Sequence, residues 1–219
     1  IQNTSTSTEG LQNHFSFFTK KLFSHPFVQE ADIIHCHNLH WPFKNFPLRF
    51  LEIGHRKPLI WTFHDMWSIL GHAAHSLDCG RCETGKTCRK HKYLPPKLYT
   101  WDSSAFLYKI KRHLLLRSNF HIVVPSQWLQ KKVEQSFLKH KPIHLIYNGI
   151  NVKTFTMQPR IAVRAKLNLP QNKKIIVFLA FGGLTNPWKG IEFVQYLLKK
   201  FSSNKDVLFL SLGGINPKF

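Results

Sequence analysis

Pro58-Leu59-Ile60-Trp61-Thr62-Phe63 runs without a charge and stops on His64-Asp65. A short apolar run closed by a polar pair has the length of a buried strand rather than of a helix. Similar runs stand on either side: Asp32-Ile33-Ile34-His35-Cys36 before it, then Phe120-His121-Ile122-Val123-Val124 and Ile143-His144-Leu145-Ile146-Tyr147. Between the last two, about Gln127 to Lys139 reads as a helix, and Leu11, Phe15, Phe18 and Leu22 recur at helical spacing near the start. Continuous apolar strands joined by helices predict an α/β fold, a doubly wound parallel sheet covered on both faces.

The pattern pauses after Asn151 through a Pro-containing connection and then restarts. Lys174 to Ala180 reads as a strand, Ile191, Val194, Leu198 and Phe201 mark a helix, and Val207 to Leu212 reads as another strand. Two strands and one helix are too little for an independent core. The expected division is residues 1-152, a domain whose start is cut, and residues 153-219, the opening of a second. The economical reading is a two-domain protein represented by its middle.

The chain has 219 residues, 43% of them hydrophobic, enough for a real core. No run reaches the roughly 18 apolar residues of a membrane span, and the Thr/Ser-rich opening lacks the regions of an export signal, so a cytoplasmic site is expected. Lys and Arg number 31 against 11 Asp and Glu, a formal charge of +20 that calls for an anionic partner. Nine of these cations and one acid, Asp102, fall between Lys86 and Arg117. There Phe106, Leu107, Ile110 and Leu114 share a helical face, with Lys109, Lys111, Arg112, His113 and Arg117 beside it. That suits a helix lying on an anionic membrane face, and equally a surface helix packed on a sheet.

Ligands of open α/β sheets bind beyond the carboxyl ends of strands, where His64 stands. Its imidazole can face a crevice, or it can simply end the strand. Asp65 can orient that ring or cap the segment that follows. His35, His37, Asn38 and His40 form a second polar cluster after a strand. Alternation of side chains and the lack of a carboxylate among them argue against a metal, leaving hydrogen bonds to an acceptor hydroxyl from Asn38 and His40, or ordinary loop polarity. Asn148-Gly149-Ile150-Asn151 follows the fourth strand as a sharp turn at the crossover into the second domain. Gly182-Gly183 follows a strand and Lys189-Gly190 opens a helix, which together bring backbone N–H groups and a cation toward one point suited to a diphosphate. Cys79, Cys82, Cys88 and His91 have the spacing of a structural zinc site, with His72 and His75 as alternative ligands and free thiols as the plain reading. Cys36 lies in an apolar strand and reads as inert core.

Thr62-Phe63-His64-Asp65, Asn148-Gly149-Ile150-Asn151 with Phe155, and Asn186-Pro187-Trp188-Lys189-Gly190 occur in an order that resembles family 4 glycosyltransferases. Asp32-Ile33-Ile34-His35 and Val124-Pro125-Ser126-Gln127-Trp128-Leu129 extend the likeness over most of the chain. His64-Asp65-Met66-Trp67, Gly71-His72 and a Cys-bearing loop are similar to colanic acid and other exopolysaccharide or lipopolysaccharide enzymes. The resemblance implies a GT-B fold of two Rossmann-like domains with the active site between them, and retaining transfer of a sugar from a nucleotide-sugar donor to a saccharide or lipid-linked acceptor. It places His64 near the reacting centre, Lys189 on the donor diphosphate beside Gly182, Gly183 and Gly190, and Ser126 and Asn148 along the cleft. No cofactor is required for such catalysis. Many relatives carry an arginine where Gly183 stands, the spacing of the later cysteines departs from the subgroup, and a glycine-rich loop near the start and a downstream glutamate pair are not found.

Two rival readings come from other classes. A basic nucleic-acid-binding module lacks any recognised motif, and the aromatics fall at core-like positions, so nucleic acid is not the expected partner. An inactive, zinc-stabilised scaffold of the same fold is the other.

Overall fold

The computed structural model describes residues 19–40, 46–71, 73–77, 79–86, 104–179 and 189–213. The chain divides into two compact units, residues 1–149 and 150–219.

Unit one begins with two short helices, α1 (Thr19–Phe23) and α2 (Pro26–Glu30), and its first strand is β1 (Ile34–Cys36). A 3-10 helix, η1 (Leu48–His55), leads to β2 (Leu59–Thr62), which is followed by a single 3-10 turn, η2 (Trp67–Ile69), and the short α3 (Gly80–Glu83). α4 (Ser104–Arg117), β3 (His121–Val124), α5 (Gln127–Glu134) and β4 (Ile143–Leu145) complete it. The four strands pair in parallel in the order β1-β2-β3-β4, with Cys36 beside Trp61, Trp61 beside Ile122 and Val124 beside Leu145. Because strand order follows chain order and crossovers are right-handed, the described connections pass over one face of the sheet. The reversal of strand order that a doubly wound sheet shows is not among the described strands.

The register explains the core. Cys36, Leu59, Trp61, Ile122 and Val124 share the covered face and are buried, packed with Leu48, Leu51 and Ile53 of η1, Leu115 of α4 and Leu129 and Val133 of α5. Burial pushes the Cys36 thiol up to about 12, which makes it inert as the sequence suggested. The other face carries His35, Ile60, His121, Val123 and His144, all exposed or half-buried.

α4 packs on η1 and η2 with Leu107 buried as expected, but its inward face is rotated away from Phe106 toward Lys111. Ser104, Leu107, Lys111 and Leu115 point inward, while Phe106 is 41% exposed and Ile110 and Leu114 are half-buried. Lys111, read from the sequence as a cation beside the apolar face, is instead 1% exposed. Its Nζ donates to the Trp67 carbonyl at 2.5 Å and stands 3.7 Å from the Trp67 ring centroid. α5 stops at Glu134, short of Lys139, because Ser136 Oγ donates to the Val133 carbonyl and accepts from Leu138 N, competing with the helical ladder.

Unit two contains α6 (Arg160–Lys166), a two-stranded parallel sheet of β5 (Lys174–Leu179) and β6 (Val207–Leu212), and α7 (Ile191–Phe201) between them. All the buried apolar side chains among the described residues lie in unit one.

Candidate functional site

β1 and β2 end side by side, so the residues after them meet. His37 Nδ1 lies 2.9 Å from His64 Nε2, with the two rings stacked at 5.3 Å. His35 lies on the same face as His37, their centroids 4.3 Å apart, and its Nε2 lies 2.8 Å from Thr62 Oγ1. The Trp61 indole donates to the His37 carbonyl at 2.8 Å, tying the loop after β1 to the core of β2.

In this contact one ring nitrogen donates and the other accepts. Burial and the neighbouring His37 push the His64 imidazole below its ordinary value, with Asp65 opposing. His35 is pushed down by burial, then by His37 and His64. A neutral ring at His64 can donate or accept one hydrogen bond without placing a full positive charge at the end of the sheet.

The Asp65 carboxylate is directed to Trp67 and His40 rather than to the His64 ring. One oxygen accepts from Trp67 N, the first residue of η2, at 2.8 Å, and the other lies 3.1 Å from His40 Nε2. His40 stacks on Trp67 at 4.9 Å and 17°. The aspartate thus fixes a platform of His40 and Trp67, whose indole also meets the Lys111 ammonium from within the core. Asn38 is exposed beside these residues on the rim of a small notch that they line. Ser68 Oγ, 3% exposed in the same notch, has no hydrogen-bond partner among the described residues.

Ser126 follows β3 and is the N-cap of α5, its Oγ accepting from Leu129 N at 3.2 Å. Its hydroxyl proton remains able to donate. Asn148 is exposed just before the division between the units. Gly149 has neither a positive φ nor a close neighbour, so the sharp turn expected there is not what its glycine provides; Asn151 instead organises the next turn by accepting from Lys153 N and Thr154 N. In unit two, Lys189 is exposed and Gly190 is the N-cap of α7 with φ 67°, a left-handed conformation that glycine adopts without strain. Gly182 and Gly183 lie outside the described residues.

Cys79 is the N-cap of α3 and is half-buried, and the Cys82 side chain joins the core at 7% exposure. Cys88, His91 and His72 lie outside the described residues, as do the three residues before Lys189. Among the described residues, no group of three or more His, Cys, Asp or Glu side chains is arranged to hold a metal ion. No helix among them is long and apolar enough to cross a membrane.

His35, His37 and Trp67 were visible in the sequence as neighbours of the expected residues, but not as their partners. The signal for His37 is its two-residue spacing from His35, which puts both rings on one strand face. Lys111 had no signal as a core residue.

The parallel sheet with a polar rim beyond its carboxyl ends defines an α/β protein, and ligands of such sheets bind at those ends. The family model described as Glycosyltransferase Family 4 matches residues 10–154, well over half of the chain, and the chain belongs to that family. Its four-stranded sheet is accordingly a Rossmann-like sheet of the GT-B type. Over 168 residues it is 29% identical to "Putative colanic acid biosynthesis glycosyl transferase WcaC" of Escherichia coli (strain K12). That match covers 70% of this chain and 40% of that protein, so the chain spans well under two thirds of the curated relative it matches.

Proposed function

We propose that this chain contributes to a retaining glycosyltransferase that moves a sugar from a nucleotide-sugar donor to a saccharide or lipid-linked acceptor during surface polysaccharide biosynthesis. The observation that carries the proposal is the rim after β1 and β2, where His37 supports His64 and Asp65 holds His40 against Trp67. Family membership and similarity to a protein named for colanic acid biosynthesis support the pathway class.

His64 meets the donor sugar near the reacting carbon. Glycosyl transfer passes through an oxocarbenium-like state, in which a neutral imidazole can hydrogen-bond without repelling the developing positive charge. Its lowered pKa serves that role. Asn38, His40 and Asp65 meet acceptor hydroxyls, and Ser126 and Asn148 add donors along the crevice. Gly182, Gly183, Lys189 and Gly190 take the donor diphosphate, where the leaving-group charge grows in the transition state and a cation stabilises it. No metal cofactor is required for this chemistry, and any zinc held by Cys79, Cys82, Cys88 and His91 is structural. The positive charge of the chain supports work beside an anionic membrane surface.

Calorimetric titration with nucleoside diphosphates, with and without chelator, tests the donor half of this reading. Binding should survive chelation and weaken about tenfold in Lys189→Ala, the loss of one charged contact. Strict dependence on added magnesium, or full affinity in Lys189→Ala, would contradict it.

A further inference from the structure

A second concave surface lies between η1 and α4, and none of its residues belongs to the site described above. Its volume is about 970 Å³. The η1 wall is Arg49, Glu52 and His55. A 3-10 helix turns once every three residues, so these three side chains stand in one line. The opposite wall is Lys109, His113 and Arg117, four residues apart and therefore in one row along α4. Helical rise gives both rows a length of about 12 Å. Half-buried Ile110 and Leu114 form an apolar floor between them.

The charge on these walls is one-sided. Glu52 is the single acid of the lining, and Arg49 Nε stands 3.6 Å from it. Lys109 and Arg117 have no carboxylate partner among the described residues. Arg117 Nη1 lies 3.3 Å from His113 Nε2, which holds the guanidinium along the α4 wall and leaves its other N–H groups to donate elsewhere. Burying Ile110 and Leu114 further would be favourable, yet the cations beside them exclude an ordinary apolar partner.

We infer that this groove binds a phosphate-bearing anion, with its oxygens met by Lys109, Arg117 and Arg49 and its non-polar portion resting on Ile110 and Leu114. Phosphate offers several acceptor oxygens to a guanidinium fork and an ammonium at once. The spread of the rows suits a ligand longer than a single phosphate. A phospholipid headgroup and a free diphosphate present the same chemistry. The groove shares no residue with the donor and acceptor positions, so the inference stands or falls apart from the transferase reading.

The test uses the full 219-residue chain with two probes. Inorganic pyrophosphate is titrated by calorimetry, and vesicles of phosphatidylglycerol or of phosphatidylcholine are co-sedimented at rising salt. Lys109→Glu and Arg117→Glu alter exposed groove cations, with Lys109→Gln as a milder change should a reversal unfold the protein. Arg112→Glu, exposed on the same helix but outside the groove, makes the same change in net charge. Lys189→Ala removes the proposed donor-site cation. Each groove variant should weaken binding by about fivefold or more, Arg112→Glu by less than about twofold, and salt should weaken it throughout. Pyrophosphate binding without vesicle binding assigns a free diphosphate; phosphatidylglycerol-selective binding assigns a headgroup. The inference is overturned if neither probe binds at low salt, if Arg112→Glu loses as much as the groove variants, or if Lys189→Ala alone abolishes binding.

Discussion

Replacing Lys111 by Met should flatten the pH dependence of unit-one stability. The side-chain amine is buried, donating to the Trp67 carbonyl at 2.5 Å with the Trp67 ring beneath it at 3.7 Å. Burial drives its pKa well below lysine's ordinary value, against the opposing charge of Asp65. Between the lowered folded value and roughly 10.4 for an unfolded lysine, the unfolded chain binds the extra proton, so stability rises with pH. The slope approaches about 1.4 kcal/mol per pH unit where the folded amine is neutral. Met keeps most of the volume but cannot titrate. It forfeits one buried hydrogen bond of about 0.5–1.5 kcal/mol and removes the cost of burying the amine, so its net effect near neutrality should stay within about 2 kcal/mol. Ala opens a cavity as well and should cost about 2–5 kcal/mol. Urea unfolding followed by tryptophan fluorescence between pH 7 and pH 10 reads the difference, since other titrating groups are common to both proteins. Parallel profiles for wild type and Lys111→Met would refute the reasoning.

Further outcomes follow from the same contacts. His37→Ala removes a neighbour that holds the His64 pKa down, so the His64 titration followed by proton NMR should move upward; an unmoved midpoint would deny the His37–His64 contact its electrostatic role. Burial would raise the Glu83 pKa, but hydrogen bonds from Lys132 and Ser76, both at 2.7 Å, outweigh it and bring it below its ordinary value. That stabilisation is present above the ordinary carboxylate range and lost as pH falls through the lowered folded value. Glu83→Gln should therefore cost about 1 kcal/mol at pH 7, and the difference from wild type should vanish in acid unfolding curves.

The strands were legible because each is a continuous apolar run with turn chemistry at its ends, and β5, α7 and β6 fall where their patterns put them. Helix phase was less legible. On α4, Phe106, Leu107, Ile110 and Leu114 make an apolar stripe, whereas the row of 107, 111 and 115 that is buried is rejected by hydropathy rules because of Lys111. What decides it is the Trp67 carbonyl and indole, placed 44 residues away by the turn after β2. The His64 position was readable from the end of an apolar run, whereas its contact with His37 depends on the register of β1 on β2, which a single sequence does not print. Asp65 allowed two roles at the sequence level; the geometry gives it a hydrogen bond from Trp67 N in the segment that follows and the contact to His40. Gly149 was over-read, since turn composition is shared by many loops that need no glycine.

The central claim is that the rim around His64 takes part in sugar transfer. The most direct measurement is release of nucleoside diphosphate from a panel of nucleotide sugars, with acceptor glycan present, by the protein together with any native sequence that follows Phe219. Wild type and His64→Ala are compared at equal melting temperature. The account predicts at least one active donor and a loss in His64→Ala of about a hundredfold or more, as expected for a group acting at the transition state, with the fold intact. An unchanged rate in His64→Ala, or a loss that tracks unfolding alone, would contradict it.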